Sequence, residues 1–467
     1  MSAVLLVGSR SGLSMEAATR YLSIGHGMPL AFITEANSQV VFREPGTLSK
    51  LWVRVNSNDH TSLAYRVRIN GSDGNLTCSY GSSETGIKKD DTNSDAVAAG
   101  DTLSLSAVAS GGTAAAHVVW VLVFTPTTDS PTLYTNQANF DVSTSSVTEF
   151  IGFAGRSSLG SVEADHRFRA LVAGRLKYLR LRGTNNGANT VTFRSRVNGV
   201  NGNLVVAIAG GGSHGEDTTN EDTIAAGDDI GLSVTTGAGM VASSFPLLHC
   251  TFIPDSGFQY VSMMDQAFLS PSTTYYFSAG GSLDSFATEA ECSLEARFAQ
   301  RLSKLAIYVS TNGNSSSSTF RLRINGANST QVITIGAGVT GFLQDATHTD
   351  DVAAGDLIDY QLVTGAGGSD ITLTYAVMLS EEVAGDETIW QMDDLPIPAL
   401  PDLLAVVDDV AGTPTTKKAT LANIISALAL SNVVIQVKTV GSGTYTPTAG
   451  MKKVLGIAVG AGGGGAG

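Results

Sequence analysis

The chain has 467 residues, more than one hydrophobic core usually organises, so several domains are expected. Charged residues are only 15% and Gly fills 52 positions, a composition of short strands and turns rather than of amphipathic surface helices. The net charge of −14 argues against nucleic acid, whose recognition needs clustered Lys and Arg. No apolar run reaches the ~20 residues of a membrane helix.

Met1 to Gly8 has too short an apolar run for a secretory signal and no basic residue before it, so synthesis in a cytoplasm is expected. Residues 1–20 read as an N-terminal lead segment. Cys78, Cys250 and Cys292 fall at unlike points of the chain, which fits free thiols in a reducing cell better than a disulfide framework.

After the lead segment the sequence repeats. An aromatic-Arg-x-Arg-(Ile/Val)-Asn-Gly run spans Tyr65 to Gly71, Phe193 to Gly199, and Phe320 to Gly326, at steps of 127 or 128 residues. A second run, Asp-x-Thr-x-x-Asp-x-(Val/Ile)-Ala-Ala-Gly-Asp, spans Asp90 to Asp101, Asp217 to Asp228, and Asp345 to Asp356. A weaker Glu-Ala pair lies upstream at Glu35, Glu163 and Glu289.

The first run alternates, with Phe320, Leu322 and Ile324 on one face and Arg321 and Arg323 on the other, which predicts a strand. Its Asn-Gly predicts a two-residue type I′ hairpin, and Gln331–Ile335 fits the returning strand. Ala-Ala-Gly-Asp reads as a tight turn into a further strand, Leu357–Val363 in the third copy. Each copy ends in an apolar strand: His117–Phe124, Phe245–Ile253 and Ile371–Leu379.

The fold class is therefore all-β, with three tandem jelly-roll-like β-sandwich modules at 21–147, 148–274 and 275–385. Each is large enough to bury a core of its own, so separate beads are expected. Residues 386–431 read as a Pro-containing linker, Leu395–Pro401, followed by a short helix, Thr420–Leu428. Residues 432–467 read as a Gly-rich strand region with strands at Val433–Val437 and Val454–Val459.

Candidate chemistry is sparse. Gly210-x-Gly212-x-x-Gly215 and Gly336-x-Gly338-x-x-Gly341 match a dinucleotide fingerprint but open no helix, so they read as loops. The paired acids Asp90/Asp95, Asp217/Asp222 and Asp345/Asp350 suit turn capping, with a Ca²⁺ site or a ligand contact as alternatives. The paired arginines Arg66/Arg68, Arg194/Arg196 and Arg321/Arg323 are candidate ligand or inter-module contacts, able to meet an anionic glycan or neighbouring acids. The seven histidines show no metal-ligand spacing, and no Gly-x-Ser-x-Gly elbow is present. No catalytic residue, metal or cofactor is assigned, and no enzyme is expected.

Two C-terminal stretches, Asp402 to Leu421 and Val437 to Gly450 with the Lys452 to Gly465 run after it, resemble bacteriophage tail-fibre proteins. The resemblance covers about 65 residues and none of the three modules. It implies a virion appendage, made in the host cytoplasm. It also implies a homotrimer that contacts other virion proteins and, at the host surface, a glycan. The other reading is a secreted or surface carbohydrate-binding adhesin with three lectin-like modules.

Overall fold

In this computed structural model the described residues are 3–383 except 15–17, 29–31, 113–114, 129–130, 137–139, 143–145, 154–158 and 281–284, together with 404–408 and 415–419. They are strands and turns, with 3-10 turns at Glu35–Asn37, Glu163–His166 and Glu289–Glu291. The helix expected at Thr420–Leu428 and the strands expected beyond Asn432 lie outside the described residues. Within the stretch read as a linker, Leu404–Asp408 pairs antiparallel with Thr415–Ala419. No helix among the described residues is long and apolar enough to cross a membrane.

Residues 1–383 form one compact unit built from three sandwiches. In the first, the eight main strands are Val4–Ser14, Thr19–Leu22, Gly46–Val55, Ser62–Ile69, Ser72–Tyr80, Gly86–Val97, Thr102–Ser110 and Ala115–Pro126. Numbered in chain order within the module, one sheet runs 1-8-3-6 and the other 2-7-4-5. The same two orders recur in modules two and three, and they are the jelly roll, two Greek keys folded over one core. The Asn-Gly turns are two-residue connections with both residues at positive φ, 50° and 78° at Asn70 and Gly71, as a type I′ hairpin requires.

The module boundaries are displaced from those expected. Residues 1–20 are no separate lead: Val4–Ser14 is the first strand of module one and pairs along Ala115–Pro126. Thr132–Asn136 pairs with Ser243–Pro254, and Phe258–Leu269 with Gly368–Glu382, so each opens the module that follows it. The repeated motifs all lie downstream of this first strand, whose own sequence differs between copies.

Nor are the modules separate beads. The strands closing modules one and three are apolar on successive residues, as expected of a strand buried on both faces. In Ala115–Pro126, Val118, Trp120, Leu122 and Phe124 lie in their own sandwich, whereas Val119, Val121 and Val123 join the core of module three with Phe277, Leu294 and Leu322. In Gly368–Glu382, Ala376 and Met378 face their own core, and Tyr375, Val377 and Leu379 join that of module two. At about 1.5–3 kcal/mol for each fully buried large apolar side chain, these outward faces bind the modules to one another.

A β-bulge repeats the same contact. Lys50, Tyr178 and Lys304 occupy positive φ at a register shift in the third strand of each module. Lys50 Nζ donates to the Arg297 carbonyl at 3.2 Å, and Lys304 Nζ to the Leu171 carbonyl at 3.1 Å. The Tyr178 ring lies 5.7 Å from the Arg43 guanidinium. Module one thus docks on three, three on two, and two on one. The three modules close head to tail into a ring within one chain.

Shared cores predict that residues 1–383 unfold as one cooperative unit. Trp52→Ala, which empties a fully buried site between modules one and three, should cost about 3–5 kcal/mol and lower a single calorimetric transition as a whole. Three separable transitions, with only one moved by the substitution, would contradict the ring.

Candidate functional site

The sequence motifs meet at one corner of each sandwich. Arg68 reaches back to Glu35 with both branches of its guanidinium, 3.1 Å from each carboxylate oxygen. Arg196 does the same to Glu163 at 3.1 and 3.0 Å, and Arg323 to Glu289 at 3.0 and 2.9 Å. Each of these arginines also donates to the carbonyl of its own turn glycine, Gly71, Gly199 or Gly326. The turn asparagine locks the second motif: Asn70, Asn198 and Asn325 donate to Asp101, Asp228 and Asp356 at 2.7 Å in every copy. The other arginine of each pair faces outward. Arg66 pairs with Asp73 at 2.6 Å, while Arg194 and Arg321 are half-buried beside their hairpins.

The Asp-rich runs lace the open edge of each sandwich. Strand five and strand six are the edges of opposite sheets, and their ladders end there. Asp90, Asp217 and Asp345 each accept from a strand-five amide, Thr77, Val205 or Val332, at 2.9–3.0 Å. They also cap their own turns, through Thr92 and Asn93, Thr219 and Asn220, and Thr347 and His348. Asp95, Asp222 and Asp350 accept from further strand-five amides at Asn75, Asn203 and Thr330. These carboxylates face N–H donors, the wrong polarity for a cation site, and no group of three or more acidic, His or Cys side chains suited to a metal occurs among the described residues.

The two glycine fingerprints fall on strand–turn–strand connections. Gly211 and Gly338 take positive φ there, and no helix follows. Cys78, Cys250 and Cys292 are free and buried. Burial pushes the Cys78 thiol up to about 12, so it has little thiolate character.

Asp359 carries a feature invisible in the sequence. It stands where module one has Ser104, whose hydroxyl donates to Glu35 at 3.0 Å. Asp359 is 1% exposed and one of its carboxylate oxygens has no hydrogen-bond partner. Burial, and then the adjoining Glu289 carboxylate, push its pKa up to about 9 against the opposing pull of Arg323 and Arg54. A neutral acid beside Glu289 can act as the hydroxyl does in module one.

The three seams between modules differ in chemistry. Between one and three, the apolar core continues across, framed by Lys89–Glu295 at 2.6 Å and by Arg54 donating to the Ser293 carbonyl at 2.9 Å. Between two and three it continues through Phe168, Tyr260 and Tyr375, and both tyrosine hydroxyls accept backbone amides of module two. Between one and two the continuity is slight: Leu133, on the first strand of module two, is the one described residue of that module in the core cluster of module one. There His26–Met28 adds in parallel to Thr132–Asn136, and Arg43 pairs with Glu216 at 2.6 Å. A cleft of about 430 Å³ remains, lined by Arg43, Thr102, Arg180, His214 and Glu216.

No family model matches the sequence, and no curated protein matches it. Among solved structures, infectious bursal disease virus of the Gx strain aligns at 8% identity and a TM-score of 0.17, covering 91% of this chain and 87% of that one. The Gt strain aligns at 10% and 0.16, covering 92% and 86%. An anti-sigma factor domain-containing protein aligns at 12% and 0.14, covering 53% and 88%. At these TM-scores the likenesses carry no argument about this chain.

The buried acids predict opposite pH responses. Burial would raise Asp345, but the Val332, His348 and Thr347 donors outweigh it and hold it at about 2. A folded pKa below the unfolded one gives stability present above about pH 4 and lost as pH falls towards 2. Asp359 has the reverse sign: its contribution is complete below about pH 4 and is lost as pH rises towards 9. Melting temperature against pH should therefore show D345A losing most near neutrality. It should show D359N gaining on the parent as pH rises, and a D359N advantage that stays constant with pH would refute the buried neutral acid.

Proposed function

We propose that this chain is a structural subunit of a bacteriophage fibre, a tail or head appendage, with roles in virion architecture and host attachment. The observation that carries the reading is the closed ring of three jelly rolls in one chain, a rigid block whose conspicuous motifs are spent on holding its own corners and edges. The fibre-like C-terminal stretches, Asp402 to Leu421 and Val437 to Gly450, support it independently. No enzymatic role is proposed, because the recurring carboxylates are occupied by backbone donors.

In this reading the partners are other virion proteins, a host surface glycan and further copies of the chain. The proposed assembly is a homotrimer. The faces that could join sandwich to sandwich are already used inside the ring, so contacts between chains fall to residues after Leu395. A second reading, a surface carbohydrate-binding adhesin, is favoured by the unfilled polar cleft between modules one and two. Immunogold labelling separates them, since label on particle appendages supports the fibre and label confined to the cell envelope supports the adhesin.

Deleting residues 395–467 should leave a folded monomer by light scattering, whereas the full chain is three times its own mass. A truncated protein that remains trimeric would move the interface onto the sandwiches.

A further inference from the structure

We propose that the cleft between modules one and two is a binding site for an oxyanion-bearing sugar, with Arg180 as its anion-recognising group. The ring makes matching positions of the three modules equivalent. Trp52 lies opposite Val121 in module one, Ala306 opposite Val377 in module three, and Arg180 opposite His249 in module two. At two seams this pair is apolar and buried in a shared core; at the third it is a guanidinium and an imidazole. Two residues further along the closing strand the contrast recurs, since Val123 and Leu379 correspond to Thr251.

A polar substitution at a site built to be greasy costs stability unless something answers it. Among the described residues nothing answers Arg180 fully. It is half-buried, with no hydrogen bond or ion pair to a described residue. Burial lowers its pKa, Glu216 pulls the other way, and the neighbouring Arg182 and Arg43 lower it further. Glu216, the acid of this group, is already committed to Arg43 at 2.6 Å, and Arg182 reaches only the Asn37 side chain at 3.4 Å. Three guanidiniums thus share one carboxylate inside a chain whose net charge is −14.

The space beside them has the size and chemistry of a small polar ligand. The cleft of about 430 Å³ is lined by Thr102, His214 and the backbone of Gly100 and Gly215 as well as by arginine. A second hollow of about 240 Å³ adjoins along the same strand, where Arg182, Ser213 and Ser244 line it. A planar guanidinium recognises a carboxylate or sulfate through paired N–H donors, and the hydroxyl and backbone groups suit the ring hydroxyls of a sugar. The inference is independent of whether the chain stands on a virion.

The test is calorimetric titration of the full chain with glucuronic acid, glucose 6-sulfate, neutral glucose and inorganic sulfate. The expected result is that at least one acidic sugar binds, that glucose and inorganic sulfate bind at least tenfold more weakly, and that R180M abolishes binding. R180M should also raise the melting temperature, because it restores an apolar residue at a seam position, which separates lost binding from lost folding. R301A, remote from the cleft, should bind as the parent does. Absence of binding by both acidic sugars, equal binding by inorganic sulfate, or binding that survives R180M would each overturn the proposal.

Discussion

The rest of the structure depends on one constraint, that the sheet closing each jelly roll is buried on both faces. A lone sandwich hides one face of each sheet and leaves the other to water, so its strands alternate. Here the outward residues of Ala115–Pro126 and Gly368–Glu382 are as apolar as the inward ones, and they complete the core of the next module. Because the docking is head to tail and the rotation closes after three steps, no module is left with an uncovered partner face. An interface of this kind between separate chains makes a ring if it closes and a filament if it does not. Covalent linkage of three copies fixes the number.

The motifs that recur most clearly serve this scaffold. The Arg–Glu clamp, the type I′ turn and the Asn–Asp lock together rigidify the corner from which each module meets its neighbour. The Asp carboxylates satisfy edge amides that would otherwise template pairing with another chain. The repetition therefore records structural need, while the departures from repetition mark where something else is asked of the chain. Asp359 replaces a hydroxyl beside Glu289, and Arg180 replaces Trp52 and Ala306 of the sister seams.

Much of the fold was legible because its signals are local. Phe320–Ile324 alternates with period two, Asn-Gly demands positive φ, and both follow from a few adjacent residues. The first strands were not legible, since Val4–Ser14, Thr132–Asn136 and Phe258–Leu269 share no motif, and every boundary drawn from the motifs fell downstream of them. The ring itself left a trace in the unbroken apolar runs at Val118–Phe124 and Tyr375–Leu379, whose failure to alternate is the mark of two-sided burial. What faced those runs could not be read, because the partners lie in another module. Arg180 and Asp359 were hidden for the same reason: each gains its meaning from groups far away in sequence, Arg43 and Glu289.

Native-state hydrogen exchange of the closing strands tests the ring most directly. If modules share cores, the amides of Ala115–Pro126 and Gly368–Glu382 exchange only through global unfolding, with one common free energy and one denaturant dependence. If the modules are independent, each closing strand exchanges through unfolding of its own sandwich, with its own free energy and about a third of the denaturant dependence of the whole unit. The first result is the one this account predicts, and the second would contradict it.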